Sequence, residues 1–108
     1  MTVDFASHTL HTDGSAVVSL SGELDVASAC QLWQVLVPLL RLRRVTVDMS
    51  DVSFLDCAGL RPLLRAANAV EASGGKMSLR GLGTEPLLVM RRTGLLDVFD
   101  VEAVEVFA

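Results

Sequence analysis

Segments with strand and helix patterns alternate along this chain, and that alternation limits its fold more than any other feature. Residues 45–49 and 76–80 alternate apolar with polar side chains, as half-buried strands do, and each run is followed by apolar residues at helical spacing. Strands that alternate with helices in this way are joined by right-handed crossovers and lie parallel in one sheet. We therefore expect parallel strands here, with helices packed against the sheet.

An opening hairpin is predicted before the first helix. Val3 and Phe5 alternate with polar neighbours, residues 16–21 form a second β-rich run, and Asp13-Gly14 between them is a strong hairpin signal. A hairpin adds an antiparallel member to the sheet. The sequence therefore predicts the α/β class, with a mixed four- to five-stranded sheet, an opening β-hairpin and three or more helices.

Each predicted helix has residues that suit its ends. Side chains able to accept hydrogen bonds from a first turn precede the three helices: Asp25, Asp56 and Thr84. Residues that favour termination follow them: Pro38, Gly74-Gly75 and Gly94. Pro62 and Pro86 are expected in the first turns of the second and third helices, where proline is tolerated. The apolar tail, residues 98–107, fits either a short strand or a terminal helix.

Length and composition fit one compact domain over residues 1–108, because 108 residues is close to the commonest domain size. No apolar run approaches the ~20 residues of a membrane span, and no signal peptide opens the chain, so we expect a cytoplasmic protein without membrane insertion. Cys30 and Cys57 are too few for a disulfide framework and are expected to be reduced. The 51% hydrophobic content predicts a docking face, which also permits weak homodimers.

The sequence contains only weak signals for nucleic-acid, catalytic, metal or cofactor sites. The net charge of −4 and short, scattered arginine clusters argue against nucleic-acid binding. A nucleophilic cysteine needs a base, and nothing in the sequence places His8 or His11 beside Cys57 or gives them further metal ligands. Gly81-Leu-Gly83 is too short for a dinucleotide loop and is interpreted as a strand-to-helix turn. The carboxylates of Asp48, Asp51 and Asp56 near the central strand could suggest acid/base or Mg²⁺ chemistry, but Asp51 is interpreted as a solvated turn residue and Asp56 as a helix cap. We therefore predict no enzyme activity, no cofactor and no metal.

The junction of the central strand with the second helix is the strongest candidate site, since α/β proteins present functional groups where strands end. Residues 56–60 there read Asp-Cys-Ala-Gly-Leu. The unpaired N–H groups and the dipole of a helix N-terminus favour negative charge. A phosphoryl group at position 57 would therefore suit its own helix while adding about two negative charges to the surface.

Four segments form a constellation that is more specific than any one of them: Gly22-Glu-Leu-Asp25, the strand and its continuation over 45–56, Cys57-Ala-Gly-Leu60, and Thr93-Gly-Leu-Leu96 after Gly74-Gly75. Together they resemble the STAS domain, and within it the bacterial anti-sigma factor antagonists. The resemblance covers nearly the whole chain. It implies a partner-switching regulator that docks onto an anti-sigma factor of the ATP-dependent serine kinase type, displaces the sigma factor, and is released when the kinase phosphorylates a serine.

The resemblance also implies which residues bind the partner: Glu23, Asp25, Ser53, Phe54, Asp56, Cys57, Ala58, Gly59 and Arg61. The phosphoacceptor position is Cys57 and Ala58 follows it, so neither offers the hydroxyl that a serine kinase needs. Such an antagonist would stay permanently in its binding-competent form.

Two alternatives remain open from the sequence. Cys57 is either a small apolar replacement for serine or a sensor thiol. STAS proteins also serve as accessory subunits of ABC-type phospholipid transporters, and Leu32-Trp33 in the first helix occurs in some of those.

Overall fold

The computed structural model describes residues 5–101. Its strands are β1 (Ala6–Thr12), β2 (Ser15–Leu24), β3 (Arg44–Leu55), β4 (Lys76–Arg80) and β5 (Asp100–Val101). Its helices are α1 (Ala29–Leu36), α2 (Cys57–Ala72) and α3 (Thr84–Arg92), with a 3-10 turn at Val37–Leu39. Within the predicted apolar tail, Asp100–Val101 form the short strand β5, while residues 102–107 and Val3 lie outside the described residues.

The five strands of this range form one mixed sheet in chain order, β1-β2-β3-β4-β5. β1 pairs antiparallel with β2 through the Asp13-Gly14 turn, whereas β2–β3, β3–β4 and β4–β5 are all parallel. The prediction of an α/β fold with an opening hairpin and parallel crossovers is confirmed.

One face of the sheet carries the hydrophobic core. Val18 pairs with Val47 and Val47 with Leu79, so these three fully buried side chains form a row across the sheet. The buried faces of α1 and α2 complete the same core, with residues that include Leu32 and Leu63. Because period-2 strands and period-3.6 helices bury one face each, the sequence pattern already specifies this layer arrangement.

Two predicted helix starts and the predicted position of one proline need correction. Asp25 does not cap α1, which begins four residues later at Ala29; its carboxylate closes the turn before the helix. Thr84 is the first residue of α3, and Gly83 takes the N-cap position in extended conformation. Pro62 is the sixth residue of α2, in the second turn rather than the first, because α2 begins immediately after Asp56.

The predicted helix ends are confirmed. Pro38 lies in the 3-10 turn that closes α1. Gly74 and Gly94 follow α2 and α3 with φ values of +89° and +72°, a backbone conformation that glycine adopts without steric cost. After α2 the N–H of Gly75 donates to the carbonyl of Val70 (2.9 Å), which completes a Schellman motif.

β3 has two irregularities near its end. Ser19 pairs with Asp48 but Ser21 with Asp51, and a second shift follows between Gly22 and Glu23. Each shift gives β3 one more residue than β2, as in β-bulges, which bend a strand and redirect its side chains. Asp51, interpreted from the sequence as a turn residue, therefore lies within β3, and the bulged end of this strand leads into α2.

Candidate functional site

The carboxyl ends of β2 and β3 meet the N-terminus of α2 in one place. The hydroxyl of Ser53 donates to the carbonyl of Gly22 (3.2 Å), and the N–H of Asp56 donates to the carbonyl of Leu24 (3.2 Å). Glu23 pairs with Phe54 in the last rungs of the sheet. Segments some 30 residues apart in the sequence are thus joined by backbone and side-chain hydrogen bonds.

Asp56 is the N-cap of α2, as predicted. Its Oδ1 accepts a hydrogen bond from the N–H of Gly59 (3.0 Å), which satisfies one of the unpaired donors of the first turn. Gly59 packs so closely against β2 that a Cβ on it would overlap the carbonyl oxygen of Leu24 and lie 2.8 Å from Leu24 Cβ. Only glycine lets α2 begin against the end of β2.

The loop between β2 and α1 is held by two short polar side chains. Oδ1 of Asp25 accepts hydrogen bonds from the N–H groups of Ala27 (3.0 Å) and Ser28 (3.2 Å). The buried hydroxyl of Ser28 accepts from the N–H of Asp25 (3.0 Å) and donates to the carbonyl of Glu23 (2.6 Å). This network folds the loop into a compact turn and leaves Val26 at its tip, 80% exposed.

The structure brings the predicted partner-binding residues together around this junction. Cys57, the first residue of α2, is exposed and its thiol is free. Phe54 is 42% exposed, a high value for an aromatic side chain next to a core strand. The remaining predicted residues are exposed (Ser53, Arg61), half-buried (Glu23, Asp25, Asp56, Ala58) or buried (Gly59). Their role in binding stays a prediction.

Sequence reasoning missed one feature beside these residues, a groove between α1 and α2. Five apolar residues line it: Val26, Ala29, Trp33, Ala58 and Pro62. Arg61 and Arg65 complete its wall together with Cys30. Trp33, part of the Leu32-Trp33 pair noted in the sequence, is only half-buried. The spacing of Arg61 and Arg65, four residues apart on one helix face, is the signal that could have indicated a shared surface.

The other candidate residues occupy separate places. His8 and His11 are exposed on β1, and β2 lies between that strand and β3, which precedes Asp56 and Cys57 in the chain. Gly81-Leu-Gly83 is the turn from β4 to α3, as interpreted. Among residues 5–101, no three His, Cys, Asp or Glu side chains are grouped as metal ligands would be. The described helices also include none with the length and apolarity required to cross a bilayer.

Comparison with known proteins agrees with this architecture. The family model described as Mlab, STAS domain, matches residues 7–102. The anti-sigma-B factor antagonist of Bacillus subtilis (strain 168) is 33% identical over 87 residues, which are 80% of this chain and 80% of that protein.

Solved structures show the same fold. An anti-sigma factor antagonist from Mycobacterium paratuberculosis has a TM-score of 0.83 at 25% identity, with 94% of this chain and 88% of that one covered. The anti-sigma factor antagonist SpoIIAA in its unphosphorylated form has a TM-score of 0.75 at 21% identity, with 94% and 90% covered. The resemblance recognised in the sequence motifs is confirmed: the chain belongs to the STAS-domain family.

Proposed function

We propose that this protein is an anti-sigma factor antagonist that binds an anti-sigma factor of the ATP-dependent serine kinase type and so releases a sigma factor. It acts in the cytoplasm, where transcription takes place, and works by binding rather than by catalysis. The observation that carries the proposal is the exposed Cys57 at the start of α2, together with the exposed apolar side chains of Phe54, near the end of β3, and Val26, in the β2–α1 loop. Its Bacillus subtilis relative, an anti-sigma-B factor antagonist, supports the same function.

The docking surface of this proposal consists of the loop with Glu23 and Asp25, the end of β3, and the first turns of α2. Exposed aromatic and aliphatic side chains supply buried apolar area in a complex, and the carboxylates around them orient a partner of opposite charge. Asp56 keeps one carboxylate oxygen for its own helix, so its main contribution is to hold Cys57 in place.

The cysteine at position 57 affects how the partner kinase can regulate this antagonist. A thiol is not the hydroxyl that a serine kinase phosphorylates, and Ala58 offers none either. The partner kinase therefore cannot release this antagonist at the usual position. The protein acts as a constitutive antagonist that keeps its anti-sigma factor occupied.

Binding of purified wild-type protein to the ATPase-type anti-sigma factor of its own host tests the proposal by titration calorimetry. Cys57→Glu places a carboxylate at the centre of the surface and should weaken binding at least about 30-fold, since an unpaired charge in an interface costs about 2 kcal/mol or more. Thr84→Glu is the matched control, because Thr84 is the exposed first residue of α3 and lies outside the surface. Its affinity should stay within about threefold of wild type.

Cys57→Ser provides the converse test. Incubation with the anti-sigma factor and ATP should phosphorylate this variant and dissociate its complex, while the wild type stays unmodified and bound. Micromolar wild-type protein that binds no such anti-sigma factor would rule out the proposed function.

The accessory-subunit hypothesis has one observation in its favour, the partly exposed Trp33 of the Leu32-Trp33 pair. Co-purification with a transporter ATPase, unaffected by Cys57→Glu, would support that alternative.

A further inference from the structure

The groove between α1 and α2, lined in part by Val26 of the β2–α1 loop, differs in charge from the rest of that loop. It encloses about 360 Å³ between the N-terminal halves of the two helices. Val26 at its rim is 80% exposed, and Trp33 lies half-buried in its wall. Since solvent-exposed aliphatic and aromatic side chains clustered in a concave site mark binding surfaces, the groove suits an apolar side chain of a partner.

The walls of the groove are cationic. Arg61 and Arg65 belong to its lining, which contains no carboxylate, although the chain as a whole has a net charge of −4. The ion pairs among residues 5–101 are Lys76–Asp100 and Arg80–Asp48, so neither guanidinium group of the groove pairs with a carboxylate of that range. A ligand with negative charge beside an apolar group fits this arrangement.

Arg65 is preorganised for such a ligand. Its guanidinium carbon lies 4.3 Å from the centroid of the Trp33 ring, which is cation–π distance. A stacked guanidinium keeps its N–H edge free to bind a carboxylate through two hydrogen bonds, and less conformational entropy is lost when it does so. Tryptophan and arginine are also the residues most often found as energetic centres of interfaces.

Acidic and basic side chains near Cys57 come from different parts of the chain. Glu23 and Asp25 lie at the end of β2 and in the loop after it, and Asp56 is the N-cap of α2, whereas Arg61 and Arg65 line the groove. The groove shares Ala58 and Arg61 with the docking surface of the proposed function, so both belong to one continuous surface. A partner segment that lies along it therefore needs acidic residues at the groove end.

We propose that the groove binds an acidic amphipathic helix of the anti-sigma factor, an inference that rests on the proposed function. One apolar side chain of that helix enters between Val26 and Pro62, and carboxylates one turn away pair with Arg61 and Arg65. A helix fits better than an added strand, because both walls are helices whose backbone groups are paired internally, and strand addition needs a free sheet edge.

Charge reversal at Arg65 tests the proposal with the purified anti-sigma factor. Arg65→Glu should weaken binding about tenfold or more and reduce the dependence of binding on salt, because the new carboxylate at position 65 then faces the carboxylates of the partner helix. Arg41→Glu makes the same charge change at an exposed position between the 3-10 turn and β3, before the amino end of that strand, and should change affinity less than about threefold. Circular dichroism of both variants verifies that they fold.

A second measurement does not depend on the anti-sigma factor. Two synthetic helical peptides of about fifteen residues have the same apolar leucine face, flanked by glutamate in one and by lysine in the other. In NMR spectra of the full chain, the glutamate peptide should shift the amide resonances of Val26, Ala29 and Arg65, and the lysine peptide should not. Equal shifts from both peptides, or none from either, would overturn the proposal.

The outcomes separate the two proposals. If Arg65→Glu binds the anti-sigma factor as wild type does while Cys57→Glu does not, the groove proposal is wrong and the proposed function stands. If wild type binds no anti-sigma factor but the acidic peptide alone shifts the groove resonances, the proposed function is wrong and the acidic-helix preference of the groove stands.

Discussion

α1 and α2 both begin beside the carboxyl ends of β2 and β3, yet the chain enters them in different ways. Between β3 and α2 there is one residue, Asp56, which caps the helix. Between β2 and α1 there are four residues, 25–28, tied together by Asp25 and Ser28 with Val26 at the tip. The α2 start is pressed against backbone, whereas the α1 start is a turn held by side chains.

The packing of Gly59 at the α2 start stabilises the fold, whereas the exposed tip of the loop before α1 is available for binding. Gly59 is buried against Leu24, so the α2 start has no room for change and presents Cys57 from a fixed position. The loop before α1 keeps its shape through a few hydrogen bonds and leaves its tip in solvent. A side chain added at Gly59 should therefore destabilise the fold, while substitutions at the loop tip should mainly alter binding.

The largest effect should come from Gly59→Ser. Its Cβ would overlap the carbonyl oxygen of Leu24, so α2 must move away from β2, at a cost of about 3 kcal/mol or more in the free energy of unfolding. Gly83→Ser is the matched control: Gly83 has φ −72°, a Cβ there would lie 3.8 Å from Pro86 Cδ, and serine is a good N-cap. Urea denaturation measures both. Equal stability of the two variants would contradict the tight α2 start.

Ser28→Ala should have the next largest effect. The change removes the hydroxyl that joins the N–H of Asp25 to the carbonyl of Glu23 at a site only 5% exposed, which should cost about 1–3 kcal/mol. Ser7→Ala on exposed β1 should cost within about 0.5 kcal/mol. A loss at Ser28 as large as that at Gly59 would mean that the two helix starts are equally rigid, and the contrast between them would fail.

Asp56→Ala should cost about 1 kcal/mol, because the N–H of Gly59 loses its cap. Asp56→Asn keeps a capping oxygen and removes the charge, so its stability should stay within a few tenths of a kcal/mol of wild type, as equal capping preferences indicate. Thermal unfolding distinguishes the two variants. If Asn and Ala destabilise equally, charge rather than capping is the contribution of Asp56 to the α2 start.

The smallest effect on the free energy of unfolding should come from a substitution of Asp48, whose carboxylate lies outside both helix starts. Burial raises its pKa, but hydrogen bonds from the side chain and N–H of Ser50 and from Arg80 outweigh burial, so the pKa of Asp48 is below its ordinary value of 3.8. A group whose pKa is lower in the folded state stabilises the fold above its unfolded pKa, and that contribution disappears as the pH falls through the folded pKa.

Asp48→Asn should therefore lower stability by less than about 1 kcal/mol at neutral pH, as expected for a partly exposed ion pair. The difference from wild type should shrink as the pH falls below about 4. Denaturation across that range measures it, with Asp51→Asn, at an exposed position of the same strand, as the control. A difference that grows toward acid would contradict the depressed pKa of Asp48.

Much of the fold could be predicted because its signals are local. Alternating strands, helical spacing and the Asp13-Gly14 turn identified the hairpin and the crossovers, and Gly74 and Gly94 identified helix ends. The starts of α1 and α3 could not be placed in the same way. Ser28 defines the first through a bond to Glu23, and buried Leu82 draws the chain into the core before Gly83 and α3. The hydrogen bond within the turn and the burial of Leu82 select among neighbouring residues with similar capping preferences.

Part of the candidate site could likewise be predicted from local signals in the sequence, and part of it could not. Residues 56–60 were recognisable because a strand end, a capping aspartate and a helix N-terminus are adjacent in the chain. The groove was not, since Trp33 and Arg65 belong to different helices and meet only after both have packed on the sheet. The sequence by itself determined the order of elements, the buried faces and the residue at position 57, because backbone preferences and hydrophobic periodicity act over a few residues. Only the tertiary structure decided which polar and aromatic side chains share a surface, because contacts between distant segments depend on how the helices pack.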